Sequence, residues 1–383
     1  MPRLATPARH DGGVQVALRA VELRRARLPL AQPFRSAHAT RTERDVVVVR
    51  VEAEDGPDGW GECVAEPEPT YWPEYTATCW DVLVHHLVPR LLDGRPLSEV
   101  KGHAMSKAAL EVAVIDAGLR ASATSLGAFL GATRAQVPTG IALGIAGSPD
   151  QLVEQAGRWY DDGHRAFKLK VAPGWDVEPA RAVRKALGDD VALVADANGS
   201  YRSDDADDDA RLRLLAHAEL GLAAIEQPYA SDDLVGHARL ARMVETPICL
   251  DESIGSLGDL DAALALGAID ALCLKVGRVG GLVEAVRLHR RCREAGIAVR
   301  AGGMLETGLG RAVNLAVAAL PGCTLPPDMG PSSRYFAEDL TPPFEAVRGT
   351  MAVPDAPGLG TAPRPDVLER ATVDRLVLRA PSP

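Results

Sequence analysis

Five short apolar runs in the middle of the chain each end on a charged residue, and they recur at a near-constant spacing. Lys170 closes AFKLK, Asp196 closes VALVAD, Glu226 closes AAIE, Asp251 closes PICLD and Lys275 closes ALCLK. Successive members lie 26, 30, 25 and 24 residues apart. One strand, one helix and two loops fill about that length, so the pattern predicts consecutive β/α units. In a barrel of such units catalytic groups gather where the strands end. Three acids flanked by lysines therefore lay out a candidate active site.

The wider pattern agrees. Strand candidates occur at 137–145, 166–171, 191–198, 223–228, 247–252, 271–277, 297–303 and 323–328, with helical segments such as 150–163 and 282–296 between them. Eight is the count that closes a barrel. Ahead of them, strand signals at 14–30 and 45–56 flank a polar loop, 31–44, and helical spacing runs from Glu74 to about Leu130. The chain divides into a flexible leader (1–15), an α+β capping domain (16–135), a modified (β/α) barrel (136–328) and a C-terminal segment (329–383). The last strand-like run, 375–380, is expected to return to the capping domain.

A net charge of −10 argues against a nucleic-acid or anionic-membrane partner. An anionic substrate would have to be held by local cations. No stretch approaches the roughly 20 continuous apolar residues of a membrane span, and MPRLATPARHDGGVQ lacks a signal-peptide core. Six scattered cysteines without a CxxC pair fit reduced thiols, so a cytoplasmic location is expected. DDADDD (204–209) lacks the ligand spacing of a calcium loop and reads as a helix start. The glycines of KVGRVGG match no phosphate-loop spacing; they read as a sharp turn into a helix or a close approach of backbone to ligand.

Asp196, Glu226 and Asp251 would project from neighbouring strand ends toward one point. An all-carboxylate set suits Mg²⁺, or Mn²⁺, rather than zinc, and a divalent cation would offset their mutual repulsion. Lys168 and Lys170, two apart on a strand, share a face. With Phe167, Leu169 and Val171 against helices, both lysines point inward, and each ammonium should lower the other's pKa toward that of a general base. Lys275 arrives from the far side of the ring. A metal-bound carboxylate between lysines suits removal of the proton α to that carboxylate through an enediolate, a pairing general chemistry already associates with enolase-type sites.

KLK (168–170), DAN (196–198), EQP (226–228), DES (251–253) and LKVGRVGG (274–281) resemble, in order, the motifs of the enolase superfamily's muconate-lactonizing subgroup. GWGECVA (59–65), PTYWPEY (69–75), MSKAALEVAV (105–114), GGMLETGLGRAVN (302–314) and PSSRYFAEDL (331–340) are similar to its o-succinylbenzoate synthase / N-succinylamino acid racemase family. The resemblance spans roughly 28–354. It implies an α/β fold, a TIM-like (β/α)7β barrel with an α+β N-terminal capping domain. It implies Asp196, Glu226 and Asp251 as Mg²⁺ ligands, Lys170 as general base supported by Lys168, and Lys275 as second acid/base or charge stabiliser. Asn198, Gly303, Met304 and, in a capping loop, Phe34 would bind substrate. Glu66 stands where the family usually has methionine, Ala142 replaces serine, Gly199–Ser200 replaces Ser–Ala, and Arg300 replaces tryptophan. Glu66 would place a negative charge at the entrance.

The expected partner is a small carboxylate substrate, handled by a homo-oligomer. Syn dehydration to o-succinylbenzoate, in menaquinone biosynthesis, is the leading reaction. Racemisation of N-succinyl or other N-acyl amino acids is the alternative, followed by a divergent epimerase or cycloisomerase.

Overall fold

A computed structural model of the chain describes residues 8–9, 15–35 and 40–381. Most of the leader 1–15 therefore lies outside the described residues. In chain order the strands are β1 (Ala8–Arg9), β2 (Gln15–Val16), β3 (Leu18–Arg35), β4 (Thr40–Ala53), β5 (Gly59–Cys63), β6 (Gln136–Pro138) and β7 (Ile141–Leu143). There follow β8 (Ala166–Lys170), β9 (Ala192–Asp196), β10 (Leu222–Glu226), β11 (Ile248–Leu250), β12 (Ala271–Leu274), β13 (Ala298–Ala301), β14 (Thr350–Ala352) and β15 (Thr372–Arg379).

The N-terminal domain is built on an antiparallel sheet in the order β15-β3-β4-β5. The segment 31–44, expected as a loop, is instead mostly strand: β3 and β4 continue as a long arm, with Phe34 opposite Arg41 and Arg35 opposite Thr40. A register irregularity between Pro29 and Phe34 lets the ladder pass two prolines. The unbroken valine run of β4 follows from burial on both faces. Val46 and Val48 join the main core, while Val47, Val49 and Val51 pack in a second cluster with Ala109, Leu110 and Ala113. Those three belong to the helix Ala104–Ala121. A Cβ on Gly59 or Gly61 would run into the carbonyls of Ala113 and Ala109, so this close approach requires the glycines of β5.

The catalytic scaffold is a seven-stranded parallel sheet in sequential order from β7 to β13. Side chains capping the intervening helices are those that accept backbone N–H bonds well: Ser148, Asp176, Asp205, Asp233, Ser256 and Thr307. Asp205, inside the acidic run, accepts from the N–H groups of Asp207 and Asp208, which makes that run a helix start. Gly280 and Gly281 have φ of 100° and 132° and form the turn into the helix Leu282–Ala295.

Two strand expectations are corrected. The 137–145 candidate divides at Gly140: β6 pairs antiparallel with β14, and only β7 joins the parallel sheet. The 323–328 candidate forms no strand. Pro326 and Pro327 lack N–H donors, so a ladder cannot form. The segment instead touches each edge of the sheet once, through Leu325 N–H to Val299 O (3.4 Å) and Gly140 N–H to Pro327 O (2.7 Å).

Glu62 of β5 ties the N-terminal domain to the scaffold. Its carboxylate accepts from Thr307 N (3.1 Å), Thr307 Oγ1 (2.7 Å) and Gly310 N (3.1 Å), at the start of the helix Gly308–Ala318. Burial pushes its pKa from 4.5 to about 6, against those hydrogen bonds. A raised carboxyl favours folding most below its ordinary value and loses that contribution as pH rises through about 6. Glu62→Gln has no such titration. Its stability relative to wild type should therefore improve between pH 5 and pH 8, by roughly 1 kcal/mol, since pH 5 already lies above the ordinary carboxyl value. Thermal melts at the two pH values check the sign; a pH-independent difference would refute it.

Candidate active site

Lys170, Asp196 and Glu226 occupy one register across β8, β9 and β10, so three adjacent strand ends deliver them at one level. Asp251 directly follows β11 and Lys275 directly follows β12. The loop bearing Asp251 is held by Gln227, whose Oε1 accepts from the N–H groups of Asp251 (2.9 Å) and Ser253 (3.2 Å). Gln227 Nε2 donates to Ser253 Oγ at 2.7 Å. Asn198 and Gln227 both sit at positive φ, 45° and 41°, a conformation asparagine tolerates better than most residues.

All five predicted residues converge, with Lys168 between two of the acids. Its Nζ lies 2.8 Å from Asp196 Oδ2 and 2.9 Å from Glu226 Oε1. Lys170 Nζ is 2.7 Å from Asp196 Oδ2 and 2.6 Å from Asn198 Oδ1. Asn198 Nδ2 in turn donates to Glu252 Oε1 at 2.9 Å, which points its carbonyl at Lys170. Lys275 Nζ is 2.7 Å from Asp251 Oδ2 and 2.9 Å from the Tyr71 hydroxyl. Arg278 also contacts Asp251 and donates to Tyr71 Oη at 2.9 Å.

The acids, not the neighbouring ammonium, set the electrostatics of Lys168. Burial alone would push Lys168 down, but Asp196, Asp328 and Glu226 hold it well above the lysine range. The expected lowering is thus reversed at that residue. Lys275 is likewise raised against burial, by Asp251. Burial opposes ionisation of Asp196 and Asp251, yet Lys168 and Lys170 hold the first well below the carboxylate range, and Arg278 and Lys275 the second. Glu226 is raised, by burial and by Asp196 and Asp251 beside it. Burial and Asp251 bring Glu252 up to about 7.

Several members of the cluster were not singled out from sequence. Asp328 contacts Lys168 and accepts the Gly303 N–H at 2.8 Å. It closes CTLPPD as the other acids close their runs, so its signal was the same. Glu252, Tyr71 and Arg278 carried no comparable signal: the first two lie in loops and Arg278 on the short helix Val276–Val279, and each meets partners from other segments.

The donor chemistry suits a hard divalent cation: fully buried carboxylates from adjacent strands, offering only oxygen. Among the described residues Glu226, Asp251 and Cys273 bring potential ligand atoms within 4.8 Å of one another. Cys273 offers a soft sulfur, which a hard cation disfavours against carboxylate oxygen. Asp196 is joined to Glu226 through Lys168, whose Nζ contacts both carboxylates.

One cavity is lined by Lys168, Lys170, Lys275, Asn198, Gly303 and Met304. Asp196, Glu226 and Asp251 do not line it; they stand behind the lysines, at 0% exposure. Ala142, Tyr71, Leu305, Met329 and Tyr335 supply further wall. The backbone of Phe34 lies on β3, and its side chain is outside the described residues. Glu66 does line the cavity, but not as a bare negative charge. Its Oε2 is 2.9 Å from Arg41 Nε, and Oε1 is 3.9 Å from Arg44 Nη1.

Residues 151–367 match the enolase C-terminal domain-like family, and 18–131 match the mandelate racemase / muconate lactonizing enzyme N-terminal domain. A parallel sheet carrying acids and lysines at its strand ends, beside a separate N-terminal domain, is the architecture of the enolase superfamily. The chain belongs to that superfamily, in its mandelate racemase / muconate lactonizing group. It is 46% identical to an N-succinylamino acid racemase of Amycolatopsis sp, over 94% of this chain and 98% of the relative. It is 43% identical to an o-succinylbenzoate synthase of Geobacillus kaustophilus, over 89% of this chain and 92% of the relative. An enolase-superfamily structure from Listeria innocua superposes with a TM-score of 0.90 at 33% identity, covering 96% of this chain and all of that one. Among the described residues no helix is long and apolar enough to cross a membrane.

Proposed function

We propose that the chain removes the proton α to a substrate carboxylate with Lys170, and that its reaction is the syn dehydration that forms o-succinylbenzoate. The observation that carries this is that Lys170 and Lys275, from two separated strand ends, both line one cavity backed by three buried carboxylates. Asp196, Glu226 and Asp251 would hold Mg²⁺, which Mn²⁺ could replace. When bound, the ion supplies Lewis-acid stabilisation of charge developing on the substrate carboxylate. Lys168, between Asp196 and Glu226, fixes those acids and adds positive charge beside the enediolate. In the syn dehydration, Lys170 would take the α-proton and hand it to the β-hydroxyl on the same face, so that the C–O bond breaks with loss of water and the new double bond completes the aromatic ring. Met304, Gly303, Asn198 and Phe34 would contact the remainder of the substrate.

Racemisation of N-succinylamino acids is a second reading. It is favoured by the presence of lysines from two well-separated strands, β8 and β12, and by the racemase relative. One lysine would take the α-proton and the other return one from the opposite face. The related epimerase and cycloisomerase reactions would use the same groups. We further propose that 323–328, bridging the two edges of the seven-stranded sheet without itself becoming a strand, brings it round into a TIM-like barrel, that 16–135 together with the C-terminal segment caps it, and that the protein works as a cytoplasmic homo-oligomer without nucleic-acid or membrane partners.

The test is an assay in D₂O with Mg²⁺, offering the cyclohexadiene precursor of o-succinylbenzoate and a panel of N-succinyl amino acids. Dehydration, with or without α-deuteration of the amino acids, is expected. Absence of both reactions would refute the assignment.

A further inference from the structure

We propose that Arg300 is a built-in counter-ion of the acid cluster that weakens this chain's hold on a divalent cation. The inference rests on the reading of Asp196, Glu226 and Asp251 as ion ligands. Arg300 lies on β13 between Val299 and Ala301, whose side chains belong to the apolar core. Period-two alternation therefore turns Arg300 to the other face, opposite Cys273 in the β12 register. There it is 2% exposed, with Nη1 3.0 Å from Glu226 Oε2 and Nη2 3.9 Å from Asp328 Oδ1. Its Nε has no hydrogen-bond partner among the described residues. Attraction to the two carboxylates, rather than a complete set of hydrogen bonds, keeps this guanidinium in the interior.

Both oxygens of Glu226 are engaged by cations, Oε1 by Lys168 and Oε2 by Arg300. An incoming ion must share one of them. Lys168 can in principle lose its proton, whereas a guanidinium stays charged in any protein environment. Four carboxylates (Asp196, Glu226, Asp251 and Asp328) touch cationic groups here, and the cations are five: Lys168, Lys170, Lys275, Arg278 and Arg300. Neutralising Arg300 lowers the positive charge beside these acids by one and frees Glu226 Oε2. Repulsion between an arginine and a divalent ion in a buried site is strong enough to change affinity by orders of magnitude. Arg300 is also a departure from the resembled family, which usually carries an uncharged tryptophan at this position.

The measurement is binding of the metal alone: Mn²⁺ by the paramagnetic resonance of the free ion, and Mg²⁺ by calorimetry, without substrate. Arg300→Met should lower Kd by about tenfold or more. Arg300→Gln, neutral but able to hydrogen-bond, is the second neutral variant should the methionine protein fail to fold, and it should shift the same way. Arg300→Lys, which keeps the charge, should stay within about threefold of wild type. Unchanged or weaker binding in the neutral variants would overturn the inference, as would equal tightening in the lysine variant. If wild type binds neither ion, the ligand reading itself fails. If wild type binds and the neutral variants bind no better, only the role of Arg300 fails.

Discussion

Lys170→Ala is expected to lower the rate of α-proton removal by roughly 10² to 10⁴, the usual worth of a positioned general base, for every substrate the protein accepts. Lys170 is fixed on both sides, by Asp196 at 2.7 Å and by Asn198 at 2.6 Å, while lining the cavity. Lys275→Ala divides the two candidate reactions. Racemisation needs a proton donor on the opposite face and should fall as far as in Lys170→Ala. Dehydration needs one base, so it should lose less, through weaker stabilisation of the developing anion. Single-turnover rates and solvent deuterium uptake on both substrate types are the measurements. An unimpaired Lys170→Ala enzyme would remove the proposed base. Racemase activity that survives loss of Lys275 would remove the two-base scheme.

The strand-end acids were legible because each interrupts an apolar run at the position where a parallel strand must stop. That signal needs no knowledge of long-range contacts. Asp328 shows its limit: it closes a run of the same style, but the two prolines before it prevent the ladder that would have marked it as a strand end. Residues whose roles depend on non-local partners were not legible. Glu66 reads as an exposed negative charge until Arg41, 25 residues earlier on the extended arm of β4, is placed against it. The arm itself was hidden because its sequence is polar; pairing to β3 forms it, not burial. The same reasoning covers Lys168. Its neighbour along the strand, Lys170, is visible in sequence, but three acids from three other segments decide its charge. Arg300 was visible as a departure, while its meeting with Glu226 and Asp328 was not.

Asp251→Asn should combine the largest loss of stability with loss of divalent-ion binding, and the two effects can be separated. Asp251 is 0% exposed and is the shared carboxylate partner of Lys275 and Arg278. Removing its charge leaves two buried cations facing one another across a neutral amide, a defect of about 3–5 kcal/mol when a buried pair is broken. A purely structural ion-pair network would predict that destabilisation and nothing more. An ion-binding site predicts an additional linkage: any ligand bound only by the folded protein raises its melting temperature in proportion to the logarithm of concentration over Kd. Millimolar Mg²⁺ should therefore raise the melting temperature of wild type and leave that of Asp251→Asn unmoved. Glu226→Gln should lose the Mg²⁺-dependent shift with a smaller intrinsic penalty, because Lys168 and Arg300 each keep Asp328 as a second carboxylate neighbour. Destabilisation of Asp251→Asn alongside a wild type indifferent to Mg²⁺ and Mn²⁺ would leave the acids as ion-pair partners of the lysines and arginines, and the proposed chemistry would lose its metal.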